Sequence, residues 1–448
     1  MSLTSLQVEV SYRQIIKLAL PISFAIFIPQ LNFITTNIFL GHYNQESLAV
    51  AGITGVYYLI FAMIGFGLNN GLQALISRRA GENRPEEIGK IFAQGIYIAL
   101  SIAVIGIMIT WLMAPAILKQ VIHSPATAKK AIDFLKIRIC GLPFLYIYQM
   151  RNALLVGTNQ SRYLVIGTFA EAVANIFFDY VFIFGHFGFP EKGFNGAAIA
   201  SIIAEFVGMF VIFLVIHRKG ISKRFSLFSH FAWNNIIIKQ ILSISTPLIF
   251  QLAASLMSWE FFYILVEHHG QQALAISNVM RNVFGLIGCV TWAFASTSAA
   301  MVSNIIGQGK HDKVHSLILK IITISTGVSF IFCILINLFP QALLSLFGQN
   351  ENFVQNAIPV VRVITIAMLL MSFATIWLSA VTGTGNSRIT LFIEVITIIL
   401  YCIYIYLVLE KYFLSITYGW MSEWLYWTCL FIFSWLYIRS GKWKAKVI

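Results

Sequence analysis

Apolar residues run in long blocks along this chain. From Ile15 to Ile438, stretches of about 20 residues or more alternate with short polar connections, and each is long enough to cross the ~30 Å hydrocarbon layer as a helix. By that length rule the blocks predict about twelve spans, near residues 15–40, 48–76, 91–118, 131–156, 163–185, 193–217, 241–266, 274–305, 314–338, 358–382, 388–409 and 417–438. A β-barrel would show short strands of alternating polarity instead. Inside lipid every backbone polar group must be bonded internally, which a helix achieves by itself.

The blocks repeat. Pro21 and Pro247 differ by 226 positions (247 − 21 = 226), and the same offset relates Leu48-Ala49 to Leu274-Ala275, Ala74 to Ala300, Ser77 to Ser303, and Gly81 to Gly307. It still holds at Gly157-Thr158 against Gly383-Thr384 and at Ser161-Arg162 against Ser387-Arg388. One constant offset over most of each half marks a duplicated unit, an arrangement common in transporters. Six predicted spans fall in each copy, and an even number returns the chain to its starting side. The copies therefore share one orientation. The expected fold class is an all-α integral membrane protein with two six-helix lobes related by a parallel, pseudo-twofold repeat. The lobes are expected at residues 1–217 and 241–448, with a linker at 218–240, the longest polar interruption.

Composition agrees: 58% of the 448 residues are hydrophobic and 10% are charged, with a mean hydropathy of +0.82, whereas soluble domains carry about 25% charged residues. The net charge of +13 would suit nucleic-acid binding if it formed a patch, but it is spread among connections. Arg78, Arg79, Arg84 and Lys90, then Arg218, Lys219, Lys223 and Arg224, then Lys310 and Lys313, and finally Arg439, Lys442, Lys444 and Lys446 all fall on one predicted side. The opposite connections hold Glu46, Glu191, Lys192, Glu267, Glu351, Glu410 and Lys411, with Lys119, Lys129 and Lys130 as the exception. The positive-inside rule then places both termini in the cytoplasm. The partners expected are a lipid bilayer and a small molecule, with no nucleic acid. The first block lacks a cleavage site after a short apolar core and reads as an uncleaved helix. Five scattered cysteines show neither disulfide nor metal spacing and read as packing residues. No phosphate-binding loop of the Walker type is present, so no nucleotide cofactor is expected and transport would draw on an ion gradient.

Carboxylates inside these blocks carry the chemistry, since a charge at the bilayer centre costs at least ~2.5–3.5 kcal/mol. Glu171, Asn175 and Asp179 lie four residues apart in the fifth span, on one helix face. Ser201 and Glu205 form a similar pair in the sixth. Together they offer oxygens for Na⁺, or acids able to share protons. Ion pairing with a basic residue such as Arg151 is the plainer alternative. In the second half, Glu260 and Glu394 stand where the first half has Ile34 and Thr168. The ion chemistry therefore does not follow the duplication. Glu260 sits among Trp259, Phe261, Phe262 and Tyr263, an array suited to an organic cation, though aromatic residues in membrane helices more often serve as packing or anchors. Pro21 and Pro29 in the first span, Pro143 in the fourth and Pro247 in the seventh each predict a bend or a hinge.

The motifs resemble those of the multidrug and toxic compound extrusion (MATE) transporters over almost the whole chain. The most specific stretch runs from Asn175 through Asp179 to Gly185, followed by Gly188-Phe189-Pro190 and by Gly196 to Ser201. Phe39 to Gly41 with Leu48-Ala49, Ser77 to Gly81, Gly157-Thr158 and Ser161-Arg162 support it. The resemblance implies a V-shaped pair of lobes, alternating access, and export of organic cations or other amphipathic compounds in exchange for Na⁺ or H⁺. It assigns ion coupling, including a possible Na⁺ site, to Asn175 and Asp179, adds Ser201, and makes Pro21 a first-helix hinge. The family pattern has Asp where this chain has Thr36, followed by Asn37, so one formal charge is missing. Glu171 is the candidate to supply it, Thr36 and Glu205 are further ion-coupling candidates, and Asn37, Trp259, Glu260 and Tyr263 are candidates for the substrate cavity.

A lipid-linked oligosaccharide flippase is the alternative function, but its anionic substrate would call for Arg and Lys in the cavity. An intramembrane enzyme would need a nucleophile–base pair or a His-Glu-x-x-His metal set, and neither is found. The reading is of a non-enzymatic, monomeric exporter in the plasma (inner) membrane. In a background lacking the native cysteines, Lys223→Cys should resist an impermeant thiol reagent in intact cells while Glu191→Cys reacts. The reverse labelling pattern would overturn the orientation.

Overall fold

The computed structural model describes residues 5–122, 124–229, 232–345 and 351–446. It is almost entirely helical, with no β-strand among the described residues. The first half contains α1 (Tyr12–Tyr43), α2 (Gln45–Gly81), α3 (Pro85–Val121), α4 (Pro125–Arg138), α5 (Leu142–Gly157), α6 (Leu164–Phe184) and α7 (Phe194–Arg218), followed by the short α8 (Ile221–Arg224). The second contains α9 (Asn235–Glu267), α10 (Gln271–Gly307), α11 (Val314–Leu338), α12 (Pro340–Ser345), α13 (Glu351–Gly383), α14 (Ser387–Ile405), α15 (Ile416–Trp420) and α16 (Ser422–Arg439).

Ten helices among the described residues are long and apolar enough to span a membrane. The fourth and twelfth predicted spans fall short for separable reasons. The fourth is interrupted by a 3₁₀ turn at Ile139–Gly141, leaving α4 and α5 of 14 and 16 residues. Pro143 stands in the first turn of α5 and has no N–H for the carbonyl four residues back, which favours a break there. α4 also carries Lys129, Lys130, Asp133, Lys136 and Arg138. The twelfth, α16, is crowded with Trp and Tyr and begins with Ser422 and Glu423.

The duplication is visible in the helix boundaries. α2 and α10 begin at Gln45 and Gln271 and end at Gly81 and Gly307, each pair 226 apart (271 − 45 = 226). α4 begins at Pro125 and α5 ends at Gly157, while the unbroken α13 runs from Glu351 to Gly383 at the same offset. One copy is therefore broken in its fourth span and the other continuous.

Two compact units form, and they are drawn differently from the halves of the repeat. The first holds Leu20–Ile249 with the residues up to Leu6, and the second holds Gln7–Ala19 and Phe250–Ile448. In the first, α6 packs along α7 and α2 along α5. In the second, α13 is central, against α10, α11 and α16. The segment ahead of each half's first helix is pinned by amide side chains. In the second unit Val8 N–H donates to Asn304 (3.1 Å), Gln308 donates to the Val8 carbonyl (2.9 Å), and Lys320 donates to the Val10 carbonyl (2.9 Å). In the first unit Gln94 donates to the Ala232 carbonyl (2.9 Å) and accepts from Asn234 N–H (3.2 Å). Trp233 stacks on Tyr97 beside it.

The first half of α9 lies against α2 where Gly67 and Gly71 let the backbones approach. A Cβ at Gly67 would stand 2.8 Å from Ile249 Cα, and one at Gly71 would stand 2.9 Å from Ser245 Cα. Backbone cannot yield as a flexible side chain can. Gly67→Val should therefore destabilise the protein by roughly 1–3 kcal/mol, the usual cost of overpacking. A thermal-unfolding midpoint equal to the parent's would refute that contact.

Candidate functional site

α6 places the central group of the first unit. Its Asn175 and Asp179 are buried on one face, and the helix stops at Gly185, which takes a left-handed φ of 75° that costs glycine little. Beyond the stop, Lys192 N–H returns to the Phe182 carbonyl (2.9 Å). The end of α1 rests on α6 through Phe184, which packs edge-on to Phe39 and Tyr43. That contact positions the preceding turns of α1 against the carboxylate.

Asp179 is fully buried. Thr36 Oγ1 on α1 donates to its Oδ2 at 2.6 Å, Asn175 Nδ2 donates to the same oxygen at 2.6 Å, and Asn175 Nδ2 also stands 3.4 Å from Thr36 Oγ1. Oδ1, by contrast, is buried without a hydrogen-bond partner. A buried polar atom with no partner is rare, and here it is an acceptor oxygen of an acid. The position where the sequence lacks an acid is therefore filled by a hydroxyl that touches Asp179 directly. Glu171 lies eight residues before Asp179, roughly 12 Å along the helix, and is not part of this contact. It sits where Gly208 of α7 lets its Cβ approach, and it makes no ion pair among the described residues. Ser201, half-buried on α7, is not among the partners of Asp179.

Glu205 is a different case. Arg138 reaches it with both terminal nitrogens, at 3.0 and 2.6 Å, Tyr58 donates to it at 3.0 Å, and the guanidinium lies 3.8 Å over the Tyr58 ring. Its negative charge is compensated within the protein. Gly141, in the turn between α4 and α5, makes room for the pair, since a Cβ there would meet Arg138 Nη1 at 2.9 Å. Arg151 does not neutralise an acid: it donates to the Met209 carbonyl and lies over the Phe213 ring.

The residues expected to line a substrate cavity are engaged inside the second unit or left apart. Trp259 Nε1 donates to Glu423 at 3.4 Å, and Tyr263 donates to the Ser277 carbonyl at 3.1 Å. Both rings lie beside the Arg281 guanidinium, 5.5 and 5.4 Å from it. The chain's own cation thus stands where an organic cation was expected to stack. Glu260 and Asn37 are half-buried on α9 and α1, and Pro21 lies inside α1. Sequence reasoning named Glu260 and Glu394 in the second half and passed over Glu423, in the twelfth predicted span. The available signal was Trp427 four residues later, whose indole N–H also donates to it (2.9 Å).

A helical membrane chain of two matching halves, with an acid held by hydrogen bonds in one of them, has the build of a secondary transporter. The sequence profile of MatE matches residues 21–181 and 247–407, once per half at the 226-residue offset (247 − 21 = 226). The chain belongs to the MatE family, whose members include multidrug transporters. It is 25% identical over 446 residues, 97% of this chain and 94% of the relative, to the probable multidrug resistance protein NorM of Thermotoga maritima. Its fold matches that of a MOP superfamily transporter from Pyrococcus furiosus with a TM-score of 0.89, at 16% identity and 99% coverage of both chains. It matches a MATE solved in complex with MaL6 equally well, at 18% identity over 98% of this chain and 100% of that one. It is thus a multi-pass membrane transporter.

The Arg138–Glu205 pair makes a stability prediction. Glu205→Gln leaves a buried guanidinium uncompensated and should cost roughly 3–5 kcal/mol, whereas replacing both residues by Leu should recover most of the loss. Thermal unfolding of the purified variants checks it; equal midpoints for the single variant and the parent would refute it.

Proposed function

We propose that the protein is an antiporter that exports cationic or amphipathic small molecules by alternating access, driven by inward cation flow at Asp179. The observation that carries this reading is the buried, unpartnered Oδ1 beside an Oδ2 that already holds Thr36 and Asn175. Both neighbours present hydrogens rather than lone pairs to the carboxylate, which favours a proton as the coupling ion over a metal cation needing several oxygens. Na⁺ stays as the tested alternative.

The ionised acid ties α1 to α6 through two charge-assisted bonds, a class roughly twice as strong as neutral ones. A proton on Oδ1 removes the charge, weakens the Thr36 bond, and loosens α1, a helix already interrupted by Pro21 and Pro29. A substrate that binds better to the deprotonated form must, by linkage, expel that proton. Coupling needs no further machinery than this difference in affinity.

The substrate class draws on two supports. One is the multidrug-resistance name carried by the Thermotoga maritima relative. The other is the state of the intramembrane arginines: Arg138, Arg151 and Arg281 are each engaged, by Glu205, by the Met209 carbonyl and by two aromatic rings. An anionic lipid-linked sugar has no evident cation to meet, and the comparisons lend the flippase alternative no support. The plasma membrane is the proposed location, with both termini cytoplasmic.

Asp179→Asn should abolish gradient-driven efflux of a fluorescent organic cation from proteoliposomes while leaving the unfolding midpoint near the parent's. Thr36→Val should slow efflux and Thr36→Ser should preserve it. Undiminished efflux in Asp179→Asn would overturn the site. Efflux driven by a Na⁺ gradient and not by a pH gradient would overturn the proton.

A further inference from the structure

The second unit buries two more acids that no ion pair compensates. Glu394 on α14 and Glu423 on α16 are 1% and 4% exposed, and neither makes an ion pair among the described residues. Hydrogen-bond donors surround them instead. Glu394 accepts from Ser255 Oγ (2.5 Å), from Gln251 Nε2 (3.3 Å) and from the Tyr426 hydroxyl. Glu423 accepts on one oxygen from Trp259 Nε1 and on the other from Trp427 Nε1. Gln251, Ser255 and Trp259 are spaced four apart on α9, so one helix face is held by both acids. Pro247 stands one turn before that face.

A second observation is independent of the acids. The Tyr401 hydroxyl and Ser422 Oγ, 2% and 0% exposed, lie against each other and bond to no other group. Tyr401 packs edge-on to Tyr426 and lies within electrostatic reach of Glu423, while Ser422 immediately precedes Glu423. The cluster therefore contains two adjoining buried hydroxyls able to accept or relay a proton.

We propose that Glu394, with Glu423 beside it, is a second proton-binding site, and that its loading frees α9 from α14 and α16. Indole and amide N–H groups only donate. They suit an acid that alternates between carboxylate and carboxylic acid, and they are poor company for a metal cation. A carboxylic acid has one fewer lone-pair site and one more hydrogen than its carboxylate. Loading Glu394 takes up its one free lone-pair site and removes the charge that strengthens its three bonds, two of which come from α9.

The arrangement repeats the logic of the first unit at another depth. There a hydroxyl of α1, Thr36, donates to an acid on α6; here a hydroxyl of α9, Ser255, donates to an acid on α14. The position in the first half matching Glu394 is Thr168 (394 − 226 = 168), eleven residues before Asp179, or roughly 16 Å of helix. The duplication kept the pairing of first helix with fifth-span acid and moved it along the axis.

The other groups facing the site are few. α9 adds Tyr263 and the half-buried Glu260, and α16 adds Tyr426. α10 brings Arg281, which lies over Trp259 and Tyr263. α13 carries only Glu351 and Arg362, both exposed.

The test uses the full purified chain in lipid nanodiscs and needs no transport, so it stands apart from the Asp179 reading. Infrared difference spectra between neutral and acidic pH, with isotope-labelled glutamate, should show a buried glutamic-acid carbonyl band. Glu394→Gln should remove that band and Asp179→Asn should leave it in place. Ser255→Ala should keep it but move its frequency, since one hydrogen bond to the carboxyl is lost. Amide hydrogen exchange across the second half of α9 should be faster in Glu394→Gln than in the parent at the same neutral pH. An unaltered band in Glu394→Gln, or a band that answers to Na⁺ at constant pH, would overturn the proton site. Unaltered exchange in α9 would overturn the release.

Discussion

An ionised carboxylate inside hydrocarbon must be offset locally, because lipid offers neither water nor counter-ions. This chain meets the requirement in two chemically distinct ways. Glu205 is matched by a full positive charge from Arg138, stacked on Tyr58. Asp179, Glu394 and Glu423 are met only by dipoles, from hydroxyl, amide and indole donors. The first solution is permanent, since neither partner leaves without stranding the other. The second tolerates a change of charge, because a carboxylic acid among dipoles is comfortable where a lone guanidinium would not be. The acids met only by dipoles are the ones proposed above to carry protons.

Much of the fold was legible in the sequence because it rests on two robust signals. Lipid demands long apolar helices, and the recurrence of Pro21 as Pro247 and Gly81 as Gly307 set the register of the copies, which the boundaries of α2 and α10 repeat. Pro143 marked a bend in the fourth span, but the full break into a 3₁₀ turn at Ile139–Gly141 was not legible. An apolar run conceals a local turn when neighbouring helices supply its contacts. For the candidate site, the spacing of Asn175 and Asp179 gave their shared face. The substitution at Thr36 was visible, but its meaning was not, since only three dimensions show that its hydroxyl donates to Asp179. Glu205 looked like a partner of the ion site and proved to be half of an ion pair, because Arg138 arrives from a segment 67 residues earlier. No periodicity reports such a contact.

The copies differ at their buried acids. Their scaffolding positions coincide, yet Asp179 faces Ile405 and Glu394 faces Thr168 across the 226-residue offset. Packing holds small residues and helix boundaries in place, because each fits neighbours on several sides. A hydrogen-bonded acid needs only a donor on the adjacent helix, so it can slide by whole turns and keep its pairing.

The pinned leader of the first helix bears on how the molecule is made. Gln7–Ala19 emerges early in synthesis, but Asn304, Gln308 and Lys320, which grip Val8 and Val10, follow some three hundred residues later. The grip on Val8 and Val10 must therefore wait until the tenth and eleventh helices exist. The head of α9, in contrast, meets Gln94 already in place. A product cut short before those helices therefore lacks this grip on its own beginning.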